Sequence, residues 1–205
     1  MLAIAGQAPD TGKMADGDEV DGLAASTAAT DAAGAKTGAA PATGAVPWNP
    51  RSFVSAKAAL METETAAGGR LDEAVLMADP PAMKASLNEA SPRDVEDMIN
   101  AWVSGWVHLL RETVSRMAGH GGSIILIVRH TDRGPLGAMA ASAIFGLAEG
   151  MLQASASGVR FTAIRDESDN PDALARHVLR LLDEPQKDTG KLLKFTGKTG
   201  LFGRG

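Results

Sequence analysis

Residues 121–152 read GGSIILIVRHTDRGPLGAMAASAIFGLAEGML. The first part contains five consecutive apolar residues, 124–128, a run that is too short for a helix and rich in β-branched side chains. Such a run predicts a strand buried on both faces. After a polar turn, residues 137–152 carry a single charged side chain, that of Glu149, which predicts a helix buried nearly all round.

Composition limits the classes of function. The chain has 205 residues, 44% of them hydrophobic, and can therefore bury one core. Its net charge of -5 argues against nucleic-acid binding, because phosphate groups select a basic surface. The chain has no cysteine, which excludes a thiolate nucleophile and a cysteine-based metal site. We find no uncharged apolar stretch of about 20 residues and expect a soluble, cytoplasmic protein without a membrane partner.

The first 46 residues differ from the rest of the chain. Alanine, glycine, threonine and aspartate dominate residues 13–46, and this part buries too little apolar surface to offset its ordering entropy by itself. We interpret residues 1–46 as a degenerate, partly irregular N-terminal part of a Rossmann fold, either a loose coat on the core or disordered. Residues 47–205 are interpreted as the α/β core.

Strands and helices alternate through this core. Ser91 at the N-cap, Pro92 at the first helical position and Asp94 two residues further predict a capped helix that continues to Met117. The other predicted elements are a helix from Asn49-Pro50 to Gly68-Gly69, strands over 71–78, 159–164 and 192–195, and a helix beginning near Asn170. This alternation predicts an α/β fold with a Rossmann-like, doubly wound parallel sheet.

Several landmarks occur in the order found in one known family. Four landmarks cover most of the core. They are Gly69-Arg70-Leu71-Asp72 with the strand that follows, the capped helix to Met117, residues 121–128, and Thr189-Gly190 before the last strand. In these features the chain resembles a short-chain dehydrogenase/reductase that is degenerate in its N-terminal part. The family's fold is the doubly wound sheet predicted above, and the cofactor that the resemblance implies is NAD.

The resemblance also assigns functional positions. By this resemblance, Trp102 stands at the helix asparagine of the family. Arg129 stands at its catalytic serine, Gly137 at its tyrosine and Ala141 at its lysine. Asp10 stands at the middle glycine of the family's glycine-rich turn, and Met77-Ala78-Asp79-Pro80 stands at its Asn-Asn-Ala-Gly stretch. The chain contains no tyrosine. Because each replacement removes a proton donor or a charge that hydride transfer needs, we predict no catalytic and no cofactor-binding residue in this chain.

These losses predict a protein that is not an enzyme by itself. The resemblance implies a non-catalytic subunit that assembles with an active homologue, which binds NAD, into a hetero-oligomer such as a heterotetramer. The pattern of losses and the small size are similar to two-subunit dehydrogenases of anaerobic toluene degradation, which oxidise a hydroxyacyl-CoA intermediate. Two alternatives stay open: a regulatory binder of a nucleotide or acyl-CoA, and an enzyme whose catalysis has moved to Arg129, His130 and Asp132.

Six apolar side chains are candidates for the interface with such a partner. Trp102 and Trp106 lie one turn apart on the capped helix and share a face, which suits either a core or an interface centre. The other four candidates are Met139 and Phe145 on the apolar helix and Leu201 and Phe202 in the basic C-terminal tail.

The four histidines suggest a metal site only weakly. They are His108, His120, His130 and His177, and they show no paired spacing of the kind that binds zinc. We therefore predict surface or packing roles for them and no metal. His130 differs from the others because it lies at a predicted strand end, where open α/β sheets bind ligands.

Overall fold

The structure is a computed structural model, and it describes residues 3–6, 46–82, 86–130, 133–154, 158–183 and 191–197. All of these residues belong to one compact unit. The predicted boundary at residue 46 is not tested, because residues 7–45 lie outside the described part of the chain.

Five parallel strands form one sheet in the order β1-β2-β3-β4-β5. The strands are β1 (Ala3–Gly6), β2 (Glu73–Ala78), β3 (Gly122–Arg129), β4 (Val159–Asp166) and β5 (Lys191–Phe195). The helices are α1 (Phe53–Ala66), α2 (Pro92–Met98), α3 (Gly105–Met117), α4 (Gly134–Ala154) and α5 (Pro171–Asp183). The predicted α/β fold with a parallel sheet is confirmed.

Each face of the sheet has its own core. Because successive strand side chains point to opposite faces, Leu76 and Leu126 lie in one core while Val75 and Ile125 lie in the other. The larger core contains side chains of α1, α2, α3 and α4, and the smaller one contains Leu174 and Val178 of α5. Strand β3 is buried on both faces, as its continuous apolar run predicts.

The helix that begins at the predicted cap changes its geometry in the middle. Ser91 and Asp94 form the expected capping box, in which each side chain accepts a hydrogen bond from the other residue's backbone N–H. Between α2 and α3, however, Ile99–Ser104 form a π-helical segment. The N–H of Gly105 donates to the carbonyl of Asn100, five residues earlier. The sequence prediction of one regular α-helix is corrected at this segment.

The start of α1 also differs from its prediction. The N-cap is Ser52, whose hydroxyl accepts a hydrogen bond from the N–H of Ser55 at 3.1 Å. Asn49, which was predicted to start the helix, instead turns the chain before the cap, because its side-chain oxygen accepts from the N–H of Arg51 at 2.9 Å. Gly68 and Gly69 end the helix as predicted, both with positive φ.

Helix α4 has two different sides. By length and composition alone, residues 134–153 would suffice to cross a membrane, but Leu136, Ala140, Ala141, Ile144 and Ala148 lie in the larger core. This burial explains the apolar composition of the inner side. The outer side carries the exposed residues Pro135, Ala138, Met139, Ser142, Gly146, Glu149 and Gly150, which we call the outer α4 face. The prediction of burial nearly all round is therefore wrong for this side.

We expect Gly105→Ala to destabilise the fold. A β-carbon at Gly105 would lie 2.1 Å from the carbonyl oxygen of Pro50. Either α3 or the segment before α1 that contains Pro50 would therefore have to move. Overpacking of this kind costs about 1–3 kcal/mol, which thermal or urea unfolding would measure. Gly146→Ala is the matched control, because nothing lies within 4 Å of a β-carbon there. It should leave stability unchanged or raise it by about 0.5–1 kcal/mol through helix propensity. Equal effects of the two substitutions would contradict the close contact.

Candidate site at the carboxyl edge of the sheet

The carboxyl ends of the parallel strands bring polar residues to one edge of the sheet. Asp79 follows β2, Arg129 and Asp166 are the last residues of β3 and β4, and Arg129 and Asp166 are register partners. This edge is where open α/β sheets bind their ligands. It is therefore the candidate functional site of the described residues.

Arg133 connects three elements at this edge. It lies directly before α4, and its Nε donates a hydrogen bond to the carbonyl oxygen of Arg129 at 3.1 Å. Its Nη2 donates to Oδ1 of Asp79. The Arg133 side chain is only 7% exposed, so the Asp79 carboxylate provides the charge that a buried guanidinium requires.

Arg129 lies between two carboxylates. Its Nη1 is 3.8 Å from Oδ2 of Asp79, and its Nε is 3.5 Å from Oδ2 of Asp166. Asp166 is 1% exposed, and its Oδ1 accepts hydrogen bonds from the hydroxyl and the N–H of Ser168 at 2.7 and 3.0 Å. The pairs join the ends of β2, β3 and β4 in one network of alternating charge.

A second group of charges continues along the edge. Glu167 pairs with Nε of Arg165 and with Nζ of Lys194, both at 2.8 Å. The hydrogen bond from Lys194 lowers the pKa of Glu167, so this carboxylate stays ionised at neutral pH. The backbone N–H of Glu167 donates to the carbonyl of Phe195 at 2.8 Å, which fixes β5 at the same edge.

His130 lies at this edge, directly after the last residue of β3. Its backbone N–H donates to the carbonyl of Asp166 at 2.7 Å. Burial, followed by the positive charge of Arg165, lowers the pKa of His130 below its ordinary value of 6.5, while Glu167 acts in the opposite direction. A neutral imidazole can accept a proton, whereas the arginines around it remain charged.

Three of the four positions that the resemblance matches to the family's catalytic residues are buried, whereas the fourth, Arg129, belongs to the charge network. Trp102 is 1% exposed within the π-helical segment, and Ala141 is fully buried on the inner side of α4. Gly137 packs against the loop after β2, since a β-carbon there would lie 2.5 Å from the carbonyl oxygen of Pro81. Gly137, which the resemblance matches to the family's tyrosine, therefore leaves no space for a side chain. Asp10 and Asp132 lie outside the described residues.

The predicted interface residues lie in different environments. Trp102 and Trp106 are buried in the chain's own core, where Trp106 makes an edge-to-face contact with Trp48 at 5.8 Å between ring centroids. Their assignment to an interface is corrected accordingly, in favour of the core alternative. Met139 is 38% exposed on α4, and Phe145 is partly buried against the core. Leu201 and Phe202 lie outside the described residues.

Sequence reasoning missed Arg133, Asp166 and Ser168. A usable signal was the position of Asp166 at the end of a strand parallel to β3, since parallel strand ends meet at one edge. In the described part of the chain, no group of three histidine or carboxylate side chains is placed to hold a metal ion.

Comparison with known proteins shows the fold. No protein-family model and no curated protein matches the chain. A short-chain dehydrogenase from Mycobacterium smegmatis matches with a TM-score of 0.62 and 19% identity over 75% of this chain and 70% of that chain. A hydroxysteroid dehydrogenase from Escherichia coli matches with a TM-score of 0.63 and 17% identity over 76% and 74%.

An alcohol dehydrogenase from Thermococcus sibiricus, solved in complex with 5-hydroxy-NADP, is also similar. Its TM-score is 0.61 with 18% identity, over 73% of this chain and 72% of that chain. At these identities the comparisons show that the chain has the Rossmann-like fold of short-chain dehydrogenases. They also correct the prediction that the chain is not an enzyme by itself, because these similar structures are all dehydrogenases.

We expect stability to fall on acidification through His130. Because the folded-state pKa lies below 6.5, the unfolded chain takes up the proton first as the pH falls. The contribution of neutral His130 to the free energy of unfolding is fully present well above pH 6.5. It is lost as the pH falls through 6.5 toward the lower pKa of the folded state.

His130→Gln should therefore flatten the fall in Tm between about pH 7 and about pH 5 without changing the slope above pH 7. Burial also lowers the pKa of His177, so adding His177→Gln should flatten the profile further. Parallel profiles for the wild type and the single variant would contradict the assignment.

Proposed function

We propose that this chain is a subunit of an NAD-dependent oxidoreductase with the short-chain dehydrogenase fold. In this proposal it assembles with a homologous subunit, as a heterotetramer, and NAD is the cofactor of the assembled enzyme. The observation that carries the proposal is the outer α4 face, whose side chains are small or apolar except for Glu149, where a solvent-facing helix side is normally polar.

The composition of this face favours a protein partner. Ala138, Ser142, Gly146 and Gly150 recur every four residues, so they lie in one row along the helix. Nothing lies within 4 Å of a β-carbon at either glycine. A row of small side chains lets a second helix approach closely, and Met139 adds an exposed apolar contact.

One helix face is smaller than a typical stable interface, which buries about 1,200–2,000 Å² in total. The neighbouring π-helical segment contacts α4 and carries Ile99, which is 42% exposed. We include Ile99 in the proposed interface with the outer α4 face.

The choice of a homologous partner rests on the chemistry that the chain lacks. The chain has no tyrosine, and the positions matched to the family's tyrosine and lysine, Gly137 and Ala141, are buried. Hydride transfer in the family uses that proton donor, so a homologue that carries it would complement this chain in one complex. The resemblance to two-subunit dehydrogenases of anaerobic toluene degradation makes a hydroxyacyl-CoA the first substrate class to test.

A specific observation favours a second candidate, an enzyme with relocated catalysis. His130 lies at the ligand-binding edge, and its lowered pKa makes the imidazole available as a proton acceptor at neutral pH. Loss of oxidoreductase activity of the purified chain alone after His130→Ala, with folding intact, would support this candidate over the first.

Mild purification of the tagged chain from its native host should recover a homologue in stoichiometric amount. We expect NAD reduction with a hydroxyacyl-CoA by the complex. Activity of the homogeneous chain alone would favour the second candidate, and recovery of the chain without a homologue would contradict the assembly.

Ser142→Arg should break this assembly, because it places a charge in the middle of the outer α4 face. We expect at least a tenfold loss of partner affinity, which corresponds to about 1.4 kcal/mol, measured by co-purification and calorimetry. Ser115→Arg is the matched control, since Ser115 is an exposed serine of α3 outside this face. If the two variants retain the partner equally, the interface lies elsewhere.

A further inference from the structure

We propose that Arg129 and Arg133 form a binding site for an oxyanion, a phosphate or carboxylate group, and that the Asp79 carboxylate occupies this site as a built-in competitor. The site goes beyond the proposed function, because it concerns a ligand of this chain rather than its assembly partner.

Two guanidinium groups converge on the single carboxylate of Asp79. Arg133 donates to Oδ1, and Nη1 of Arg129 lies 3.8 Å from Oδ2. Each oxygen thus faces its own arginine. Planar guanidinium groups recognise phosphate and carboxylate oxygens in this manner, so the geometry that holds Asp79 suits an oxyanion from solution.

The two arginines are prepared for a ligand in different ways. Arg133 is 7% exposed, and its Nε is tied to the carbonyl of Arg129, which fixes the guanidinium in place. Such fixing reduces the entropy that binding would otherwise cost. Arg129 is 27% exposed, and its two ion pairs with described residues are long, at 3.5 and 3.8 Å, so its N–H groups can turn toward a better acceptor.

The nearby charges leave room for one anion. Asp166 and Asp79 together neutralise the two arginines. Asp166 is 1% exposed and is fixed through Oδ1 by Ser168, so it stays in place. If Asp79 moves away, one positive charge remains for a ligand.

Asp79 is the member of the network that can leave. Its side chain is 42% exposed, and it lies in the loop directly after β2, where its carboxylate can turn into water. With such a competitor, the apparent affinity for a ligand equals the affinity of the open site multiplied by the fraction of time for which the site is open.

Asp79→Asn should therefore strengthen oxyanion binding. We expect inorganic phosphate to bind at least about tenfold more tightly than to the wild type, if Asp79 leaves the site open for a tenth of the time or less. Calorimetry would measure this, and the rise of Tm with phosphate at constant ionic strength would measure it independently. The Tm readout also serves if the variant is less stable, because phosphate should then restore the lost stability.

Asp72→Asn is the matched control. Asp72 lies just before the amino end of β2, pairs with Arg70 at 2.7 Å and is 54% exposed, so its loss changes the net charge equally at the opposite edge. Equal phosphate responses of Asp79→Asn and Asp72→Asn would overturn the proposal. So would an undiminished gain when Arg129→Met is added to Asp79→Asn.

The same binding measurement with acetate in place of phosphate shows whether the site selects phosphoryl or carboxylate ligands. A gain with phosphate alone assigns the site to phosphoryl ligands, and a gain with acetate alone assigns it to carboxylates. A gain with both supports a general oxyanion site, whereas a gain with neither overturns the proposal.

Discussion

The ion pair between Arg133 and Asp79 holds the carboxyl edge of this protein together. It joins the end of β2 to the start of α4, and the hydrogen bond from Arg133 to the Arg129 carbonyl adds the end of β3. Loss of one partner of a buried pair costs about 3–5 kcal/mol, and the value here is smaller because Asp79 is 42% exposed. Close to this pair, Pro81 packs against Gly137 at the start of α4.

Helix α4 shows how one sequence pattern serves two requirements. Its inner side supplies small residues, such as Ala140 and Ala141, that let the helix lie close to the sheet and the π-helical segment. Its outer side, apart from Glu149, has the same small and apolar character, and no element of the described residues covers it. An apolar surface of this kind costs free energy in water, about 25 cal/mol for each Å² left exposed. That cost is removed when a partner covers the face, which links the packing of the chain to the proposed assembly.

The sequence predicted local features better than long-range ones. The buried strand β3, the capping box at Ser91 and the glycines that end α1 follow from neighbouring residues, and the structure has them. The π-helical segment was not predictable, because its end coincides with a contact between Gly105 and Pro50, which are far apart in sequence. The prediction that Trp102 and Trp106 lie at an interface was wrong for a similar reason. A shared helix face does not reveal whether another part of the chain, here Trp48, already covers it.

The charge network at the edge and the loop after β2 depend on each other. Arg129 carries a charge that cannot lie unpaired among β2, β3 and β4. Asp79 and Asp166 supply the compensating carboxylates, and Asp79 brings the proline-containing loop across the start of α4. Glycine at residue 137 is then required, because any β-carbon there would collide with the loop. The edge therefore holds its arginines in pairs with carboxylates, and the proposed oxyanion site depends on the exposed member of this network, Asp79.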